Sequence, residues 1–202
     1  MINSPKQTVA PTREVMTLDE FKGYQRVHND SDEERLMEEL NNARHFVEEH
    51  TGLVLSESTY ECAQANFDGA MGAIKLPIAP IRSIVKLEHY NTSGALTTIS
   101  SANYRLHDHT LVQTITPATG VLWPLVEINR PDGVIVTVVA GCVADGDTSS
   151  SELTMSRYHI AKRAIAMLAS HLFENGLIAP IQLYKTPMAF QALLNTCRLE
   201  FL

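Results

Sequence analysis

The chain has 202 residues, 45% hydrophobic and 19% charged, with a formal net charge of −7. It lies below the roughly 250–300 residues at which single cores stop growing, so one compact unit with a sizeable core is expected. The acidic balance and scattered basic residues exclude a clustered phosphate-binding face and sequence-specific DNA recognition, and no apolar stretch approaches the ~20 residues of a membrane-spanning helix.

Residues 1–16 are polar, carry Pro5 and Pro11, and hold Lys6 and Arg13 without a continuous apolar block. No secretory signal is read there, and the composition predicts a flexible or partner-ordered arm. Thr17-Leu-Asp-Glu20 has the form of a capping box and should start a short helix through about Arg26, with Leu18, Phe21 and Tyr24 as its apolar stripe. Asn29-Asp-Ser-Asp32 breaks the chain, and Ser31-x-x-Glu34 is a second capping box. Leu36, Leu40, Ala43, Val47 and His50 then recur at steps of three or four, giving a helix one core-facing side. Glu33, Glu34, Glu38, Glu39 and Glu48 fall mainly on its other faces, as a solvated face or an acidic partner surface. Gly52 stands where a left-handed cap would end it.

Residues 57–140 change character. Thr59-Tyr-Glu-Cys-Ala alternates, Ile81–Tyr90 is β-branched and apolar, and Asn91-Thr-Ser-Gly94 is a turn that should return Leu96–Ile99 as a hairpin. Tyr104–Leu106 and Thr110–Ile115 are weaker strands. Val134–Ala140, entered through Pro131-Asp-Gly133, is nearly all apolar and should be buried on both faces. After the polar loop 145–151, a stretch without proline or glycine from Leu153 to Asn175 repeats Ala161, Ala164, Ile165, Leu168 and Leu172 at helical spacing, with Gly176 as the stop. Ala161, Ala164, Ala166 and Ala169 leave room for a close helix neighbour. A last helix runs from Met188 to about Arg198, with Phe190, Leu193, Leu194 and Cys197 on one face. The expected fold is α+β: a helical bundle (17–52 and 153–198) with a small, mostly antiparallel sheet inserted at 57–141, all one unit behind the arm.

The candidate chemistry fails on spacing. His45 and His50 are five apart and turned by ~140° on a helix, whereas a zinc pair needs histidines four apart on one face; His45 with Glu49 makes only two ligands. His107 and His109 could share a strand face, but no third ligand is placed. Ser149–Ser151 have no G-x-S-x-G frame, Gly69-Ala-Met-Gly72 lacks a phosphate-loop lysine and reads as a turn, and Trp123-Pro124 is a buried anchor or an interface aromatic. Cys62, Cys142 and Cys197 form no close pair and read as small buried apolar residues of a reducing compartment. No catalytic, cofactor or metal site is assigned.

The order of motifs carries a resemblance. Glu-Glu-His-Thr-Gly52 closes an acidic helix; Leu76-Pro-Ile-Ala-Pro-Ile-Arg-Ser-Ile-Val85 leads into a hairpin; Ala102-Asn-Tyr-Arg-Leu106, Gly120-Val-Leu-Trp-Pro124 and Pro131-Asp-Gly-Val-Ile-Val-Thr-Val-Val-Ala-Gly141 follow. His171-Leu-Phe-Glu-Asn-Gly176 and Pro187-Met-Ala-Phe-Gln-Ala-Leu-Leu194 close the chain. Over residues 17–200 this resembles the head–tail connector (adaptor, or head-completion) family of long-tailed bacteriophages and their prophages. It departs from that family in having no proline between Cys142 and Glu152 and no matching arm before Thr17.

The resemblance implies a structural virion protein of the neck, assembled in the host cytoplasm, and not an enzyme. It would form a ring of about twelve copies under the portal, extend the DNA channel, and join the filled head to a stopper or tail-completion protein. Double-stranded DNA would pass without sequence-specific binding, and no membrane or cofactor is implied. The family's C-terminal part contacts the portal, which makes Phe190, Leu193, Leu194, Leu199, Phe201 and Leu202 the docking candidates. A negatively charged lumen would let DNA slide, which makes Glu33, Glu34, Glu38 and Glu39 the channel-lining candidates. The alternatives are a stopper or tail-completion protein of the same neck, and a small metal-dependent hydrolase using His45, Glu49 and the His107/His109 pair.

Overall fold

Val134–Ala140 (β8) is the middle strand of a five-stranded antiparallel sheet, and the other elements are arranged around it. The computed structural model describes residues 5–11, 14–25, 32–69, 71–107, 113–142, 152–175 and 188–198. In chain order the elements are β1 (Lys6–Val9), α1 (Leu18–Gln25), α2 (Glu33–Thr51), β2 (Ser58–Gln64), β3 (Ile74–Lys75), β4 (Ile81–Tyr90), β5 (Leu96–Ile99), β6 (Tyr104–His107), β7 (Thr114–Pro117), β8, α3 (Glu152–Asn175) and α4 (Met188–Cys197). The larger sheet runs β1-β2-β8-β4-β5 and a smaller one β3-β7-β6, every pairing antiparallel. The α+β expectation holds.

Two apolar clusters result from the alternation of the strands and the stripes of the helices. Cys62, Leu87, Val134, Val136 and Val138 point from the larger sheet to Ile74 and Ile115 of the smaller one, with Phe67, Leu76 and Trp123 between them. Phe21, Leu36, Leu40, Ala43 and Val47 meet Ala161, Ala164, Ile165, Leu168 and Ala169 of α3, and α4 adds Phe190, Leu194 and Cys197. The alanine face of α3 lets the helices close up as their small side chains predict.

Several elements match the sequence reading closely. The Thr17 box is reciprocal: Thr17 N–H donates to Glu20 Oε2 at 3.1 Å and Glu20 N–H to Thr17 Oγ1 at 3.2 Å. Gly52 caps α2 at φ 73°, its N–H reaching Glu48 O at 2.9 Å. The β4–β5 hairpin turns through Asn91, whose Oδ1 accepts the Ser93 and Ala95 N–H groups.

Other readings are corrected. The arm is not wholly without structure: Lys6–Val9 pairs with β2, and Val15 and Met16 are buried. Composition missed this because β1 is held through its backbone and all four side chains are exposed. Tyr24 is exposed rather than part of the α1 stripe. On α2 the buried stripe passes from Val47 to Thr51, four residues on, which leaves His50 exposed and draws in Glu39 and Arg44. The second box rests on Ser31, which lies outside the described residues; Asp32 precedes α2 and makes no side-chain cap bond. Of the strand expected at 110–115, residues 110–112 lie outside the described residues, and β7 runs from Thr114 to Pro117; β3 is too short to leave a pattern. β8 is buried on both faces only in part: the smaller sheet covers its inner face, while on the outer face Thr137 is buried and Ile135 and Val139 are half-buried. Gly176 is outside the described residues.

The junction between the clusters is a backbone seam. Val54 N–H donates to Ala79 O at 2.8 Å, Gly141 N–H to Pro80 O and Cys142 N–H to Val54 O at 2.9 Å, while Arg82 Nε holds Gly141 O at 3.0 Å. Gly141 (φ 155°) has no room for a side chain: a Cβ there would stand 2.6 Å from Glu57 Cα and 2.7 Å from Glu57 N. The Gly141→Ala variant is expected to lose about 2 kcal/mol or more. This should lower the urea midpoint at unchanged m-value, and an unaltered midpoint would show that the seam can open freely.

Candidate functional site: surfaces for assembly

Among the described residues the histidine and carboxylate candidates do not converge. His45 and Glu49 lie exposed on α2, His107 Nε2 contacts Thr116 Oγ1 at 2.6 Å, and His109 and Ser149–Ser151 are outside the described residues. Among the described residues no three His, Cys, Asp or Glu side chains converge as metal ligands, and no helix is long and apolar enough to cross a membrane. Cys62, Cys142 and Cys197 are all buried, and burial pushes the thiols of Cys62 and Cys142 up to about 12.

The most conspicuous surface is the connection 118–133 between β7 and β8, which has no regular structure yet is firmly held. Trp123 stacks on Phe67 at 4.6 Å and donates its Nε1–H to Gly72 O at 2.7 Å. Glu127 N–H donates to Tyr90 O at 2.9 Å, and the Arg130 guanidinium lies 3.2 Å above the Tyr90 ring, between the Glu127 and Asp132 carboxylates. With the backbone so fixed, Leu122, Leu125 and Ile128 project outward at 61%, 80% and 84% exposure. Beside them an open groove of about 650 Å³ runs along Phe67 and residues 123–131. Rigid, exposed aliphatic side chains in one place are a contact surface. Trp123 is thus a buried anchor, and its neighbours are the interface candidates. The sequence signal was the third-residue repeat of Leu122, Leu125 and Ile128 in a stretch where Pro124 and Pro131 interrupt regular structure.

A second groove, about 740 Å³, lies between residues 14–18 and α2, with Glu14, Glu33, Glu34 and Glu38 around Met16, Leu18 and Met37. The channel-lining candidates therefore separate. Glu34 and Glu38 are exposed, Glu33 is half-buried and paired with Lys22, and Glu39 is 4% exposed within the helical core. The docking candidates separate likewise: Phe190 and Leu194 fill their own core, Leu193 is half-buried, and Leu199, Phe201 and Leu202 lie outside the described residues.

Beneath the acidic groove, Arg44 joins three parts of the chain. Its Nε donates to Glu14 Oε2 at 2.8 Å and its Nη1 to Glu48 Oε2 at 2.9 Å, while Glu48 Oε1 accepts the Leu55 N–H at 2.9 Å. Burial raises the Glu48 carboxyl above its usual range, against the pull of the Leu55 N–H and Arg44. Sequence reading placed Glu48 among solvated residues because charge alone does not reveal a partner four residues away that is itself buried.

Removing the guanidinium tests this network. Arg44→Met should cost about 2–4 kcal/mol at pH 7, since it leaves a largely desolvated carboxylate with the Leu55 N–H as its remaining partner. Glu48 would then titrate higher still. A raised carboxyl contributes stability that is present below its unfolded pKa and lost as pH rises through the folded one. The variant's deficit should therefore shrink from pH 7 to pH 5 in denaturant titrations, and a deficit equal at both pH values would contradict it.

No protein-family model matches the chain, and no curated protein matches it significantly. Among solved structures, the fold is shared over essentially the whole length with chains of gene transfer agent (GTA) particles. One is from the neck of an empty particle computed with C6 symmetry: TM-score 0.71 and 20% identity, covering 100% of this chain and 97% of that one. Another is from the virion of the native particle: TM-score 0.71 and 21% identity, covering 99% and 97%. A third, from the native neck computed with C12 symmetry, gives TM-score 0.62 and 20% identity over 96% and 97%. At this identity the likeness is one of fold. It extends to the region before Thr17, where the sequence resemblance found no counterpart.

Proposed function

We propose that this chain is a structural component of a phage-like neck: an adaptor whose copies ring the DNA channel beneath the portal and receive the next neck protein. The observation that carries this reading is the full-length fold shared with chains from GTA necks, at TM-score 0.71. The sequence resemblance points to the same place independently. Cyclic assembly fits the C6 and C12 symmetries of the neck structures, since head-to-tail contacts between different patches of one chain close into rings. The exposed Leu122, Leu125 and Ile128 supply an apolar patch for such contacts.

Electron microscopy of portal-bearing capsids mixed with the purified full-length protein should show an added ring below the portal. Deleting residues 199–202 should leave a folded protein that no longer joins. A ring seated only on preassembled tails would favour the stopper or tail-completion reading instead. One tightly held zinc per chain, lost on His45→Ala, would favour the hydrolase.

The exposed face of α2 is proposed to look into the channel, where every copy adds carboxylates and no basic surface arrests the DNA. Glu34→Lys combined with Glu38→Lys should leave ring formation intact and slow genome release severalfold at low salt, with recovery at high salt. Release at the unmodified rate in low salt would place these glutamates away from the lumen.

A further inference from the structure

The first strand is attached to its own sheet in a way unlike any other strand. All four side chains of β1 are exposed, and the strand adds nothing to either apolar cluster. Its attachment is the antiparallel ladder to β2 (Lys6 opposite Glu61, Gln7 opposite Tyr60, Val9 opposite Thr59, with a bulge between) and one side-chain bond, Thr8 Oγ1 to Thr59 O at 3.2 Å. The root of the arm is the opposite case. Glu14 is clamped by Arg44, Val15 and Met16 are buried, and the Tyr158 hydroxyl donates to Val15 O at 3.1 Å. Between the fixed root and the strand lie residues 10–13, Ala-Pro-Thr-Arg.

We propose that β1 is exchanged between neighbouring copies, each subunit laying its first strand on the β2 edge of the next. This rests on the ring reading above and specifies one of its interfaces. The bonds that hold β1 are generic backbone bonds, so they are the same whether β2 belongs to the same chain or another. Exchange therefore needs no new complementarity, only a neighbour within reach. Because no β1 side chain is buried, lifting the strand exposes no apolar core and costs little beyond the ladder. The connector favours it too: it is only four residues long and contains Pro11, whose ring fixes φ near −65°, and short hinge segments promote exchange of the element they carry. Exchange is also directional, since the donated strand and the accepting edge are different surfaces. That is the head-to-tail relation a closed ring requires. The occupant of β2 in the assembled state is thus a second copy's Lys6–Val9.

The test is a paired-cysteine variant, Lys6→Cys with Glu61→Cys, in the full-length chain. Facing residues of an antiparallel pair are about 4.5–5.5 Å apart between Cα atoms, within disulfide range. The adjacent Cys62 is buried, with its thiol pushed to about 12, and does not compete. Rings assembled under reducing conditions, then oxidised and alkylated, should give a ladder of dimers and higher covalent species containing more than half of the chains on a non-reducing gel. Oxidation before assembly should lock the strand at home and reduce ring yield at least tenfold, with recovery on reduction. If the variant folds poorly, hydrogen exchange on the unmodified protein decides: exchange predicts that Lys6–Val9 amides gain protection on ring formation while those of β8 do not change. Rings whose disulfides are wholly intramolecular, or whose β1 amides are unchanged from the free chain, overturn the exchange and leave the ring standing. Failure of the unmodified protein to form rings on portal-bearing capsids overturns both.

Discussion

Glu48 is largely withdrawn from water at the point where the helices hand the chain to the sheet, and this constraint reaches furthest through the molecule. A carboxylate removed from water must find charge and hydrogen bonds nearby. Arg44 supplies the charge one helical turn away, and the Leu55 N–H supplies a bond from the linking segment. Arg44, buried in turn, takes Glu14 and so fixes the root of the arm. The path out of α2 is thereby set: Gly52 turns left-handed, Thr51 Oγ1 donates back to Val47 O at 2.6 Å, and Val54 enters the seam with Ala79. From that seam β2 flanks β8 in unbroken register and β4 flanks it with two register shifts, between Ile81 and Ser83 and between Ile84 and Lys86.

The same arrangement divides the molecule into parts with different tolerance. The helical and sheet cores are fixed by packing, and the junction by backbone bonds that exclude even a methyl group at Gly141. The connection 118–133 is rigid for another reason, since an aromatic stack and a cation–π contact hold a segment without regular structure. Ordering that is complete before a partner arrives does not have to be met from binding energy.

Periodicity carried most of the fold. α2, α3 and α4 were readable because apolar residues recur every three or four positions; β4, β5 and β8 because β-branched runs are bounded by Asn-Thr-Ser-Gly94 and Pro-Asp-Gly133. What escaped had no periodic signal. β3 is two residues long, and β1 is held by backbone groups that every sequence possesses. The surface was less legible than the core. The four glutamates of α2 look alike in sequence, yet Glu39 is buried and Glu33 is paired, because a helix face is defined by its neighbours. Phe190 and Leu194 were read correctly as one face of α4, but the partner they meet is α2 and α3 of their own chain. The ridge at Leu122, Leu125 and Ile128 passed unnoticed because its anchors, Phe67, Gly72 and Tyr90, are distant in sequence.

The three cysteines have a consequence beyond packing. The thiolate is the species that oxidises and exchanges, and burial, by pushing the Cys62 and Cys142 thiols up to about 12, keeps them protonated at neutral pH. Cys197 is shielded by burial as well, its Sγ turned to Arg157 O at 3.6 Å. In the neck role proposed above, the chain would be assembled in one redox climate and meet oxygen in another. These sulfurs would pass from one to the other unchanged, so the particle could age outside the cell without covalent scarring.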